Sequence, residues 1–143
     1  MKSITVKEAE YTAFRLEKEM LASNEPTPDF STRFANILEN CLAIPFQSFS
    51  GKSLYPSFLA KASILFYLMI KNHPFQNENK RIAMTTLFIF LHKNNKWLKV
   101  NVQELYNFIA WVASSPRYAK DETVKAIKKF LQAYIIDIKK GGI

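Results

Sequence analysis

Glycine is scarce, with three residues in 143. Strand-rich domains of this size use more glycines in tight turns, so the composition argues against an all-β fold. Cysteine is scarcer still. The single Cys41 excludes an internal disulfide and, set in an apolar stretch, reads as a buried structural thiol suited to a reducing cytoplasm. No apolar run approaches the roughly 20 residues that a membrane-spanning helix needs, and the first residues lack the apolar core of a signal peptide. A cytoplasmic protein without a membrane partner is expected. Internal repeats and low-complexity segments are missing. So is any helix-turn-helix, zinc-finger or RNA-binding-sheet pattern, which leaves nucleic acid as a partner resting on charge alone.

That charge is uneven. Residues 1–39 carry five basic and seven acidic side chains, and residues 40–143 carry fifteen and five, giving the net +8. A basic body attracts nucleotides, nucleic acid or acidic protein surfaces. Lysines scattered over a solvated helical surface account for the same excess.

What the chain has in quantity is apolar side chains, 48% of the total. One domain spanning 1–143 is expected, since chains of this length bury roughly two-thirds of their unfolded surface. The spacing predicts a compact, all-α helical bundle. A first helix is expected over residues 5–21, with Thr5 as N-cap and Glu8 as its capping-box partner. The prolines at 26 and 28 end helix propagation, and a second helix follows over 31–42. Residues 44–56, rich in Phe and Ser around Ser50-Gly51-Lys52-Ser53, suit a short β-hairpin or an exposed loop. Residues 57–72 and 81–93 each read as a helix apolar nearly all round, the pattern of a bundle centre. Two more helices are expected over 102–113 and 120–138, parted by Ser115-Pro116.

Between the two central helices lies His73-Pro74-Phe75-Gln76-Asn77-Glu78-Asn79-Lys80-Arg81. A fold that needs only a turn has no use for so polar a connection. Proline at 74 pushes His73 out of helical geometry, and an imidazole with an ordinary pKa near 6.5 accepts a hydroxyl proton at neutral pH. A histidine that merely satisfies a helix end is the simpler alternative. Lys80 and Arg81 open the next helix, at the positive end of its dipole, where each cation is disfavoured by roughly 0.3–1 kcal/mol unless an anion joins them. Free backbone N–H groups there bind phosphate readily. Arg81 offers a planar fork for phosphate oxygens. Asn79 positions phosphate or braces the loop, and Phe75 anchors it to the core. For Lys80 a solvated helix-start residue is the plainer reading.

This segment resembles the signature loop of the Fic/Doc family, His-Pro-Phe-x-(Asp/Glu)-Gly-Asn-Gly-Arg-x-x-Arg. His73, Pro74, Phe75, Asn79 and Arg81 match it, while Lys80 matches the Asn-Lys-Arg of the death-on-curing (Doc) branch. The similarity extends through Phe49-Ser50-Gly51, Leu54-Tyr55-Pro56, Lys61-Ala62 and Phe90-Leu91, covering about residues 27–98. The resemblance implies a Fic/Doc fold with a hairpin flap at about 44–56 before the central helix and the catalytic loop at 73–81. It implies ATP as substrate and Mg²⁺ as cofactor. His73 is then the general base toward a Ser, Thr or Tyr hydroxyl of a target protein, and Asn77, Glu78, Asn79, Lys80 and Arg81 bind nucleotide. Phe49, Gly51 and Lys52 of the flap hold a target strand.

Lysine at 80, with Met84 in place of the second motif arginine, implies an inverted nucleotide and transfer of the γ-phosphate. The chain then resembles a Doc-like toxin kinase of a toxin–antitoxin pair, whose best-known family target is elongation factor Tu. Fic-type adenylylation (AMPylation) and a catalytically degenerate nucleotide- or partner-binding protein are the alternatives. Two residues depart from the pattern. Asn77 stands where the family has a metal-binding carboxylate, and Glu78 stands where Gly or Ala is usual. The metal ligand is therefore Asn77 or Glu78, or Glu78 repels the triphosphate. The family's inhibitory motif, (Ser/Thr)-x-x-x-Glu-(Gly/Asn), is not found, so regulation is expected from a separate antitoxin.

Overall fold

The computed structural model describes residues 2–9, 11, 15, 35–74 and 79–138. Helix α1 spans Ala35–Ala43 and runs into a 3-10 turn at Ile44–Phe46. A hairpin follows, β1 at Ser48–Phe49 and β2 at Lys52–Ser53. Helices α2, Phe58–Lys71, and α3, Asn79–Lys93, come next. After them the chain forms β3 (Lys96–Leu98), α4 (Val102–Ser114), a 3-10 turn (Arg117–Ala119), α5 (Lys120–Tyr134) and β4 (Ile135–Asp137). The expected all-α class with a small hairpin is what the structure shows.

α2 is the centre. Ser57 caps its start by accepting from the Ala60 N–H at 3.0 Å, and residues 61–71 are all buried. Its composition leaves no polar face, so it must be surrounded. It packs against α3 and α5 most extensively, and also against α4 and α1. The outer helices are one-sided, as their spacing requires: α4 buries Leu105, Ile109 and Val112, and α5 buries Thr123, Ile127 and Leu131. α3 departs from the expected all-round burial. It buries one stripe (Ile82, Ala83, Thr86, Leu87, Phe90 and Leu91) and leaves Phe88 and Ile89 half-buried.

Phe88 is covered by an element that the sequence pattern concealed. β3 and β4 pair antiparallel, with Trp97 opposite Ile136 and Lys96 opposite Asp137. The Trp97 ring lies 4.7 Å from Phe88, and Lys96 ion-pairs with Asp137. The helix expected over 120–138 therefore stops at Tyr134. Its β-branched continuation, Ile135-Ile136, gains more from cross-strand pairing than from another helical turn.

The start of the chain straps the far end of α3. Thr5 and Glu8 form the expected capping box, with Glu8 N–H to Thr5 Oγ1 at 3.1 Å and Thr5 N–H to Glu8 Oε1 at 3.0 Å. Helical structure is described at 6–9, 11 and 15; the rest of the expected first helix, with residues 31–34 of the second, lies outside the described residues. Lys93 Nζ donates to Ser3 O and to Glu8 Oε1, each at 2.7 Å. Asn94 exchanges hydrogen bonds with the Lys2 backbone at 2.7 and 3.0 Å. Burial raises the Glu8 carboxyl pKa, but Lys93 and Thr5 outweigh it, and the net shift is downward.

Cys41 is fully buried in this core and unpaired. Burial pushes its thiol from the ordinary 9.0 up to about 12, against a hydrogen bond with the Asn72 side chain. The unfolded thiol gives up its proton first, so this contribution to stability is fully present below the unfolded pKa and is lost as pH rises toward the folded one. At pH 8 a thiol reagent should label native protein at least ~100-fold more slowly than urea-unfolded protein, because labelling requires opening of the core. Equal rates would place Cys41 at the surface.

Candidate active site

α2 ends where proline dictates. Asn72 is its C-cap, with its backbone N–H donating to Leu68 O at 2.9 Å. Pro74 bars His73 from right-handed helical geometry, and His73 adopts the left-handed region at φ 48°. A left-handed residue just past a helix end is a common stop, though usually glycine fills it. For histidine the conformation is uncommon, and it persists only where neighbouring contacts fix it. Pro74 is buried, whereas the His73 side chain is exposed and makes no hydrogen bond among the described residues. The imidazole therefore does not serve to satisfy the helix end, and it is exposed to solvent.

The start of α3 lies at the same end of the molecule. Phe58, in the first turn of α2, stacks on Phe90, near the end of α3, with ring centroids 5.0 Å apart. The two helices thus run antiparallel, and the short connection brings the end of one beside the start of the other. Asn79, Lys80 and Arg81 form the first described turn of α3, which contains no acidic residue. Lys80 is exposed, while Asn79 and Arg81 are half-buried. The Arg81 carbonyl accepts from Thr85 Oγ1 at 2.9 Å. Two adjacent cations thus stand at this corner, the positive end of the α3 dipole, with no acidic residue in the described first turn. Phe75, Asn77 and Glu78 lie outside the described residues. Among the described residues no cluster of His, Cys, Asp or Glu has the makings of a metal site.

The hairpin is built as a tight turn. Ser50 and Gly51 both have positive φ, 52° and 79°, the requirement of a type I′ two-residue loop. Ser48 pairs with Ser53 and Phe49 with Lys52. Phe49, Gly51 and Lys52 are all exposed, Phe49 by 76%. The hairpin is moored to the first half of α2 by the buried Lys61, whose Nζ donates to Ser53 Oγ at 3.1 Å and to Tyr55 O. The same ammonium sits 5.5 Å from the Phe46 ring centroid. This mooring lies in the first half of α2, a helix about 21 Å long, whereas His73 follows its C-cap.

His92, the second histidine, is exposed near the end of α3 with its ring edge-on to Trp97 at 6.3 Å. It is remote from the corner. Sequence reasoning missed two residues that touch the end of α2. Lys71 is buried, and its Nζ donates to Ala113 O at 3.1 Å and to Ser115 O. Arg117 donates to Lys71 O at 3.4 Å. The available signal was a lone lysine closing an otherwise apolar helix, directly before Asn72-His73.

A family model describing the Fic/DOC family matches residues 8–91. The match takes in α1, the hairpin, α2, the connection and most of α3, and leaves out α4, α5 and the β3–β4 ribbon. No curated protein and no solved structure matches the chain. Over more than half of its length the chain therefore belongs to the Fic/DOC family.

Proposed function

We propose that this protein is a Doc-like toxin enzyme that transfers the γ-phosphoryl group of ATP to a hydroxyl of a target protein. Membership of the Fic/DOC family supports a nucleotide-dependent transferase. The observation that supports the finer reading is an exposed His73 just past the end of α2 together with an exposed Lys80 in the first described turn of α3. Phosphoryl transfer asks a protein mainly for positioning and charge neutralisation, and this corner is equipped for both. The triphosphate lies on Lys80, Arg81 and the backbone of the α3 start, with Asn79 bracing it. His73 takes the proton as the hydroxyl oxygen attacks the γ-phosphorus. The bond from that phosphorus to its bridging oxygen breaks, and ADP leaves.

The donor chemistry fits Mg²⁺, which favours oxygen ligands shared with phosphates. The amide oxygen of Asn77 or the carboxylate of Glu78 would hold it. Bound there, the ion neutralises phosphate charge. Elongation factor Tu is the target to try first, by family resemblance, and a small antitoxin is the expected regulator. The hairpin contributes a docking surface for the target. Its exposed Phe49 and Leu54 and unpaired strand edges suit an extended segment that joins by backbone pairing.

With γ-labelled ATP, label should pass to the target protein and fall at least ~100-fold in His73→Ala, the usual contribution of a general base. Label arriving from α-labelled ATP instead would reassign the reaction to adenylylation. Nucleotide-dependent thermal stabilisation without any transfer would make the protein a binding member of its family.

Phe49→Ala should raise KM for the intact target at least tenfold, in line with the roughly 1.5–3 kcal/mol from burying a large apolar side chain. It should leave kcat and the KM for ATP unchanged. An unaltered KM for the target would remove the hairpin from recognition.

A further inference from the structure

The last turn of α2 is held by a reciprocal exchange of cations between two helix ends. Lys71, 8% exposed, donates from Nζ to the carbonyls of Ala113 and Ser115, at the negative end of the α4 dipole. Arg117, from the turn beyond α4, returns a long hydrogen bond of 3.4 Å to the carbonyl of Lys71, at the negative end of α2. Each helix is closed by a cation from the other's end. A third tie comes from α1, where buried Cys41 hydrogen-bonds the Asn72 side chain. Tyr67, one turn before Lys71, feels the same guanidinium: burial raises its pKa and the Arg117 charge opposes the rise.

This arrangement is a costly way to join two helices. Burying an ammonium without a carboxylate is unfavourable unless its hydrogen bonds are met, and no carboxylate pairs with Lys71 among the described residues. Leucine or methionine would pack the same seam. What the exchange adds is a fixed position and direction for the α2 backbone at residue 71. Two residues later the chain must enter the left-handed region at His73, a conformation that relaxes unless its surroundings determine it.

We propose that Lys71 and Arg117 are positioning residues, through which α4 and the turn after it set the backbone of His73 for proton transfer. The proposal rests on reading His73 as the general base. It gives residues beyond the family-matched span a role in the reaction: a geometry set across 42 to 46 positions of sequence.

The test uses the full chain with four substitutions, Lys71→Met, Lys71→Arg, Arg117→Met and Arg117→Lys, and two readouts. In the transfer assay, Lys71→Met and Arg117→Met should lower kcat at least tenfold while the KM for ATP stays within twofold. The conservative Lys71→Arg and Arg117→Lys should recover most of the loss. In native-state amide exchange, the Asn72 amide, which donates to Leu68 O, should exchange at least tenfold faster in both methionine variants, with the α3 amides unchanged. Arg117 is exposed, so its variant keeps the test standing if Lys71→Met fails to fold. Amide exchange needs no activity. If the wild type transfers nothing, the functional reading falls while exchange at Asn72 still decides the positioning claim. Unchanged exchange there, or a kcat loss that Arg117→Lys does not repair, overturns it.

Discussion

A helix buried on every side can present chemistry only at its ends. That constraint organises this molecule. Eleven consecutive residues of α2, 61–71, are withdrawn from solvent, and two of them are lysines whose ammonium groups must find oxygen. Lys61 finds it in Ser53 and Tyr55 and so moors the hairpin. Lys71 finds it in the last carbonyls of α4 and so fixes the helix end that leads into His73. The two polar handles of the central rod thus hold the hairpin near one end of α2 and the approach to His73 at the other.

The antiparallel partner completes the corner. Stacking of Phe58 on Phe90 sets the direction of α3, and the strap of residues 2–9 secures its far end through Lys93 and Asn94. With one end of α3 tied down, its first turn is held beside the end of α2. Much of what holds this corner is helix ends closed by side chains.

Local chemistry was legible in the residues. The Thr5–Glu8 box, the Ser50-Gly51 turn and the exit at His73-Pro74 all follow from interactions a few positions apart, and each stands in the structure. Non-local chemistry was not legible. Ile135-Ile136 continues the apolar pattern of α5, and only Lys96–Leu98, some forty positions earlier, turns it into a strand. The same holds for α3, where Phe88 reads as core until Trp97 is placed over it. Lys71 and Arg117 look like ordinary surface cations because their partners lie on another helix. The candidate site divides the same way: the identities of His73, Lys80 and Arg81 were visible in the sequence, and the contacts that hold the end of α2 were not.

The central claim is that His73 and the first turn of α3 form one nucleotide site. The most direct test follows the imidazole signals of both histidines by NMR during titration with ATP and Mg²⁺. The account predicts that His73 and the Arg81 side chain shift together with a single dissociation constant, while His92, beside Trp97, stays still. Shifts confined to His92, or an Arg81 response without one at His73, would contradict it.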